Sequence, residues 1–152
     1  MLNRIKRFFD QHLEAKTEPA SLEHRLHLAA CALLLEVARM DEHVGDAELE
    51  TIARACQRLL GLADDEVQDV VELAREEAKE ATSLYQFTNL IHEHYTEDQK
   101  FALLRLMWEV ALADNQVQAL EEHMIRRVAD LLYIPHARFT QARHLAEEAR
   151  KQ

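Results

Sequence analysis

The chain has 152 residues, 48% hydrophobic and 30% charged, a balance typical of a folded globular protein rather than a disordered one. It contains only two glycines and two prolines, which excludes loop-rich β architectures and favours helices joined by short turns. The net charge of −10 repels phosphate backbones, so we predict no nucleic-acid partner; a basic protein or metal cations suit this surface better.

Residues 1–16 are predicted to form an amphipathic N-terminal helix with one basic face. Its apolar residues recur at helical spacing and are Leu2, Ile5, Phe8, Phe9 and Leu13. Charges interrupt this segment too often for a signal peptide, and no run in the chain approaches the ~20 apolar residues that a transmembrane helix needs. We expect a cytoplasmic protein whose first helix docks on its own core, with weak contact to a membrane surface as the alternative.

Seven further helices are predicted, in one domain over residues 21–149. They are expected to begin at about Ser21, Ala47, Asp64, Ser83, Thr96, Ala119 and Pro135. Gly61 is a natural C-terminal position for the third helix, and Thr96 with Gln99 forms a capping box for the sixth. The expected fold class is therefore all-α, a compact bundle of about seven to eight helices.

The second and sixth helices are apolar nearly all round, and each begins one copy of a repeat. The segment LLLEVARMDEHVGDAELETI recurs 73 residues later as LMWEVALADNQVQALEEHMI. So many matches in so short a window indicate a duplicated helix–acidic turn–helix unit. The two units, at about residues 28–62 and 101–135, are expected to share a core about a pseudo-twofold axis.

Each unit carries the pattern D-x-x-V-x-x-x-E across its turn. The repeated acidic residues are Asp41 and Glu48 in the first unit and Asp114 and Glu121 in the second. One interpretation is helix capping, since each carboxylate can accept amide hydrogen bonds at a helix start. The other is cation binding, because carboxylate oxygens suit calcium, magnesium or manganese; zinc fits less well. The EF-hand loop pattern is absent, and both interpretations stay open.

Glu36 and Glu109 interrupt the two apolar helices at equivalent places of the repeat. A buried carboxylate must find a partner or take up a proton. We expect a buried ion pair, with Arg54 or Arg127 supplying the cation across the pseudo-twofold interface. A supporting role beside a metal ligand is the alternative.

The sequence carries no recognisable catalytic motif. None of the nine histidines has a glutamate three residues before it, as carboxylate di-iron bundles require. The glycines at 45 and 61 are too few for a G-x-S-x-G elbow or a phosphate-binding loop. We therefore predict a non-enzyme with no catalytic residues and no cofactor beyond a divalent cation.

The two segments EVARMDEHVGDAELETI and EVALADNQVQALEEHMI resemble the duplicated signature of the TerB-like tellurite-resistance family. The stretch LYQFTNLIHEHYTEDQKFALLRLMWEVALAD resembles a soluble single-domain branch of that family, and the likeness extends over roughly residues 1–145. The resemblance implies an all-α domain, a role linked to tellurite resistance or stress response, and metal binding without catalysis.

By matching positions, the resemblance implies that Asp41 pairs with Glu48 and Asp114 with Glu121 as metal ligands. The turns depart from the family pattern. The family usually has glycine after the aspartate and a Ser, Thr or Asp cap after the valine. The residues that stand there instead are Glu42 and Gly45 in the first turn and Asn115 and Gln118 in the second.

The expected function is that of a cytoplasmic, non-enzymatic TerB-like protein whose paired acidic turns bind one or two divalent cations weakly. The alternative is a metal-free scaffold module that holds an unidentified protein partner through its acidic surface or its N-terminal helix. Both a monomer and a dimer are compatible with the sequence.

Overall fold

The structure is a computed structural model that describes residues 4–10, 19–40, 44–76, 81–113 and 122–150. Within these residues all regular structure is helical, which confirms the predicted all-α class. The helices are α1 (Arg4–Phe8), α2 (Pro19–Ala38), α3 (Asp46–Leu60), α4 (Asp64–Glu76), α5 (Ala81–His94), α6 (Glu97–Ala113), α7 (Glu122–Leu131) and α8 (His136–Arg150).

Several helix ends follow from local chain chemistry. Gly61 ends α3 in the left-handed conformation, with φ of 69°, which glycine adopts without a steric penalty. At the start of α6, the Thr96 amide donates to Gln99 Oε1 at 2.9 Å and the Gln99 amide donates to Thr96 Oγ1 at 3.1 Å. This is the predicted capping box. α2 begins at Pro19, two residues before the predicted Ser21 cap, because proline is well suited to a first helical turn.

α2 is the central helix, in contact with α3, α4, α5, α6 and α7. Every side chain from Leu28 to Ala38 is buried, Glu36 included. This burial agrees with the sequence, because a helix that is apolar on all faces is stable only when other helices surround it. α6 packs against α2 and α8. The core therefore forms around the two apolar helices.

The packing of the repeated helices is compatible with a twofold relation. α2 contacts α6, while α7 contacts α2 and α3 contacts α6. The turns that carry most of the repeated acidic residues lie outside the described residues. The internal repeat and the proposed unit boundaries accordingly stay predictions.

α1 docks on the bundle through its apolar face. Ile5, Phe8 and Phe9 are buried, and the Phe8 ring centroid lies 6.2 Å from that of Phe87 on α5. Residues 11–16 of the predicted N-terminal helix lie outside the described residues. Among the described helices, none is long and apolar enough to cross a bilayer.

Candidate metal centre

Glu48 is the one predicted metal ligand that the structure describes; Asp41, Asp114 and Glu121 lie outside the described residues. Glu48 lies exposed in the first turn of α3, and its Oε2 accepts a hydrogen bond from the Gly45 amide at 3.1 Å. Its negative charge also complements the positive end of the helix dipole. Glu48 thus caps α3 while its carboxylate remains accessible from solvent.

Other carboxylates surround Glu48 at the start of α3. Asp46 lies 3.8 Å from Arg75 Nε, and Glu50 contacts Arg54 Nη2 at 3.1 Å and Arg75 Nη2 at 3.8 Å. These pairs are largely exposed, and such pairs contribute only about 0–1 kcal/mol each. The start of α3 is therefore an acidic, solvated surface that two arginines partly neutralise.

Among the residues that the structure describes, no three His, Cys, Asp or Glu side chains converge as ligands for one metal ion. Glu48 supplies a hard oxygen donor of the kind that calcium, magnesium and manganese prefer. A site with three protein ligands at this turn would thus have to include residues such as Asp41 from outside the described ranges.

Glu36 forms a buried ion pair with Arg39, which follows the C-terminal end of α2. Glu36 Oε2 lies 2.9 Å from Arg39 Nη2 and 3.0 Å from its Nε, and the two side chains are 1% and 3% exposed. The expected partner, Arg54, instead contacts Glu50 and Asp64 at the surface. That expectation is wrong for Glu36 because a residue three positions along the chain reaches the carboxylate without crossing a helix interface.

Glu109, the repeat equivalent of Glu36, has a different environment. Its side chain is 34% exposed, and its Oε1 accepts from Arg105 Nε at 3.3 Å on the same helix. The expected partner Arg127 is exposed on α7. Glu109 also lines a groove of about 260 Å³ between α2 and α6, together with Glu23 and His27. Equivalent positions of the predicted repeat thus hold one buried and one solvated carboxylate.

Lys100 and Tyr133 are two unusual residues that the sequence did not single out. Lys100 is only 1% exposed, and its Nζ lies 2.6 Å from His92 Nδ1 and 3.1 Å from Glu97 Oε1. Tyr133 has a positive φ of 58° and its ring centroid lies 4.6 Å from that of His92. The one sequence feature that could have indicated a buried lysine is that Lys100 directly precedes the apolar run FALL. No local signal marks the backbone of Tyr133.

Comparison with known proteins identifies the family. A family model described as tellurite resistance protein TerB matches residues 27–144, which include both repeated segments and helices α3 to α7. No curated protein and no solved structure matches the chain. The match covers well over half of the sequence and agrees with the resemblance carried by the two E-V-A-x-x-D-x-x-V-x-x-x-E segments. The chain belongs to the TerB family of tellurite resistance proteins.

Proposed function

We propose that this chain is a cytoplasmic, non-enzymatic TerB protein that binds divalent cations weakly through its acidic turns and acts in tellurite resistance or a wider stress response. Family membership supports the link to tellurite resistance. The observation that carries the metal proposal is the exposed Glu48 carboxylate at the start of α3, within a repeated Asp/Glu pattern.

Capping and cation binding are compatible at Glu48. One carboxylate oxygen accepts the Gly45 amide, and a carboxylate can serve a hard cation through its other oxygen. With Asp41 as second carboxylate, backbone carbonyls and water would complete the shell. Few charged ligands make a weak site, so we expect dissociation constants of about 10⁻⁴–10⁻³ M, as in the weakest calcium modules.

The decisive variant is Glu48→Gln. Glutamine at this position still accepts the Gly45 amide, since capping boxes use Glu or Gln, but it removes the negative charge. We expect the metal-free stability to change by less than about 1 kcal/mol, while the response to the cation weakens. Asp64→Asn, at an exposed carboxylate in the first turn of α4, is the matched control that removes the same charge elsewhere.

The measurement is calorimetric titration with calcium, magnesium, manganese and zinc after EDTA treatment, together with melting curves at 10 mM cation, or about 10–100 times the expected Kd. A ligand at 100 times its Kd stabilises the folded state by about 2.7 kcal/mol, so a melting shift is measurable. Absence of both heat and melting shift, or equal responses in wild type, Glu48→Gln and Asp41→Asn/Asp114→Asn, would contradict the metal proposal.

The second candidate is a metal-free interaction module with an acidic surface. The observation that favours it is that Glu48 already serves α3 as a cap, while Asp64 and Asp65 add further exposed carboxylates on α4. Under this proposal, Asp41→Asn/Asp114→Asn leaves binding of a defined basic partner unchanged. Loss of that binding in step with loss of cation binding would contradict it.

A further inference from the structure

Two exposed tyrosines border one surface cleft on a part of the fold that the metal proposal does not use. Tyr85 on α5 is 47% exposed, and Tyr133, two residues after α7, is 71% exposed. The cleft has a volume of about 290 Å³. It is lined by Tyr85, Gln86, Thr88, Asn89, Leu131 and Tyr133. This volume lies just below that of small-molecule sites, which run from about 300 to 1,000 Å³, and suits a single long side chain.

The backbone holds Tyr133 in a conformation that tyrosine rarely adopts. Its φ of 58° is left-handed, and a bulky residue in that region is an outlier where glycine or asparagine is usual. The turn is fixed by hydrogen bonds from the Tyr133 amide to Asp130 O at 3.1 Å and from the Ile134 amide to Ala129 O at 2.9 Å. Glycine would adopt this backbone conformation with less strain, yet the chain has at position 133 a tyrosine whose ring is exposed to solvent.

The Tyr133 ring contacts a series of polar side chains that includes the buried Lys100. Its ring lies against His92, whose Nδ1 is 2.6 Å from Lys100 Nζ. The lysine ammonium can only donate, so Nδ1 is the acceptor of this hydrogen bond. Lys100 is in turn held by Glu97 at 3.1 Å. His92 therefore contacts one side of the tyrosine ring at an interplanar angle of 49°, and Tyr133, which is 71% exposed, borders the cleft.

The electrostatic surroundings favour a cation. The chain carries a net charge of −10. Glu93 contacts the cleft residue Asn89 at 3.4 Å, and Asp130 is exposed at the end of α7. Arg127, one turn before Leu131, offsets one of these charges. The Lys100 ammonium behind His92 is paired with Glu97. The cleft also lies at the C-terminal end of α7, where the helix dipole is negative. Tyrosine faces attract cations through their quadrupole.

We propose that the Tyr85–Tyr133 cleft binds an arginine side chain of a basic peptide. A planar guanidinium stacks on aromatic rings and donates several hydrogen bonds in one plane, which the amide oxygens of Gln86 and Asn89 can accept. The site is separate from the acidic turns, because the ten-residue α7 places its two ends about 15 Å apart. Failure of one proposal leaves the other intact.

The test uses N-acetyl-arginine methylamide as the probe, titrated into the full chain and followed through backbone amide signals in NMR spectra. The matched neutral probe is the citrulline analogue, which has nearly the same shape without the charge. We expect saturable shifts at Tyr85, Asn89 and Tyr133 with arginine, weaker binding of the lysine analogue, and none of citrulline. Equal binding of either analogue, or arginine shifts confined to the acidic turns, would overturn the proposal.

Two variants test the aromatic rings without changing the backbone conformation that each position requires. Tyr133→Asn keeps a residue that tolerates positive φ, and Tyr85→Leu keeps an apolar side chain on α5. Loss of one ring should weaken arginine binding by about two- to fivefold, whereas Tyr133→Phe should retain it. Leu59→Ala removes another exposed apolar side chain that does not line the cleft, and should bind as wild type does. Unchanged binding in both Tyr133→Asn and Tyr85→Leu would refute the role of the rings.

Discussion

Glu36 and Glu109 provide a direct test of the electrostatics, because their positions in the predicted repeat are equivalent and their environments are not. Glu36→Gln keeps the size of the side chain but removes the negative charge that contacts the Arg39 guanidinium, in a site where the arginine side chain is 3% exposed. Breaking a buried pair on one side costs about 3–5 kcal/mol. Glu109→Gln breaks a pair whose members are 34% and 40% exposed, which costs about 0–1 kcal/mol.

The assay is equilibrium unfolding in urea, with melting curves as a second readout. For a chain of this length, a loss of 3–5 kcal/mol corresponds to a fall of about 6–20 °C in Tm. The double variant Glu36→Gln/Arg39→Met removes both charges and should recover at least half of the loss, because neutralising a buried pair is often tolerated. Equal destabilisation by Glu36→Gln and Glu109→Gln, or no recovery in the double variant, would refute the reasoning.

Three further outcomes are expected. Gly61→Ala should cost about 1–2 kcal/mol in urea unfolding through backbone strain alone, since φ is 69° and no atom lies within 4 Å of the added Cβ. Lys100→Met should change the free energy of unfolding by less than about 1 kcal/mol, because the Glu97 carboxylate that loses its partner is exposed to water. A loss above about 3 kcal/mol would show that the fold requires the ammonium. Burial raises the pKa of the Tyr95 hydroxyl above its ordinary 10.0, so above about pH 10 the folded state keeps a proton that the unfolded state releases. The free energy of unfolding should therefore fall as the pH rises beyond about 10. Tyr95→Phe should make that fall smaller, as measured by urea midpoints from about pH 9 to 11.5.

The features predicted well are those set by a few neighbouring residues. The Gly61 terminus of α3 and the Thr96–Gln99 capping box depend on backbone geometry over one helical turn, and both are present. The burial of α2 follows from its unbroken apolar stretch, because no exposed face would remain stable in water. Local chemistry and hydrophobic periodicity thus predicted the fold class.

The partners of buried charges were not predictable in the same way. The sequence offered Arg54 or Arg127 for Glu36 on symmetry grounds, whereas the structure pairs Glu36 with Arg39. Burial of Lys100 depends on the tertiary packing around α6, including the contact of its ammonium with His92 on α5, and the periodicity of α6 alone does not determine that packing. The choice among several arginines is a property of the tertiary packing.

Gly45, in the first acidic turn, shows how one residue that differs between the two predicted units can affect a neighbouring carboxylate. At Gly45, an added Cβ would lie 3.2 Å from Glu48 Oε2, a contact tight enough to displace the carboxylate by a few tenths of an ångström. The sequence has Gln118 at the equivalent place before Glu121. Gly45→Gln, which would place in the first turn the residue type that the second segment has at this position, should therefore disturb the Glu48 cap. Because a displaced carboxylate gives up part of its amide hydrogen bond, Gly45→Gln should weaken the start of α3, and under the metal proposal it should also change the cation affinity of the first turn.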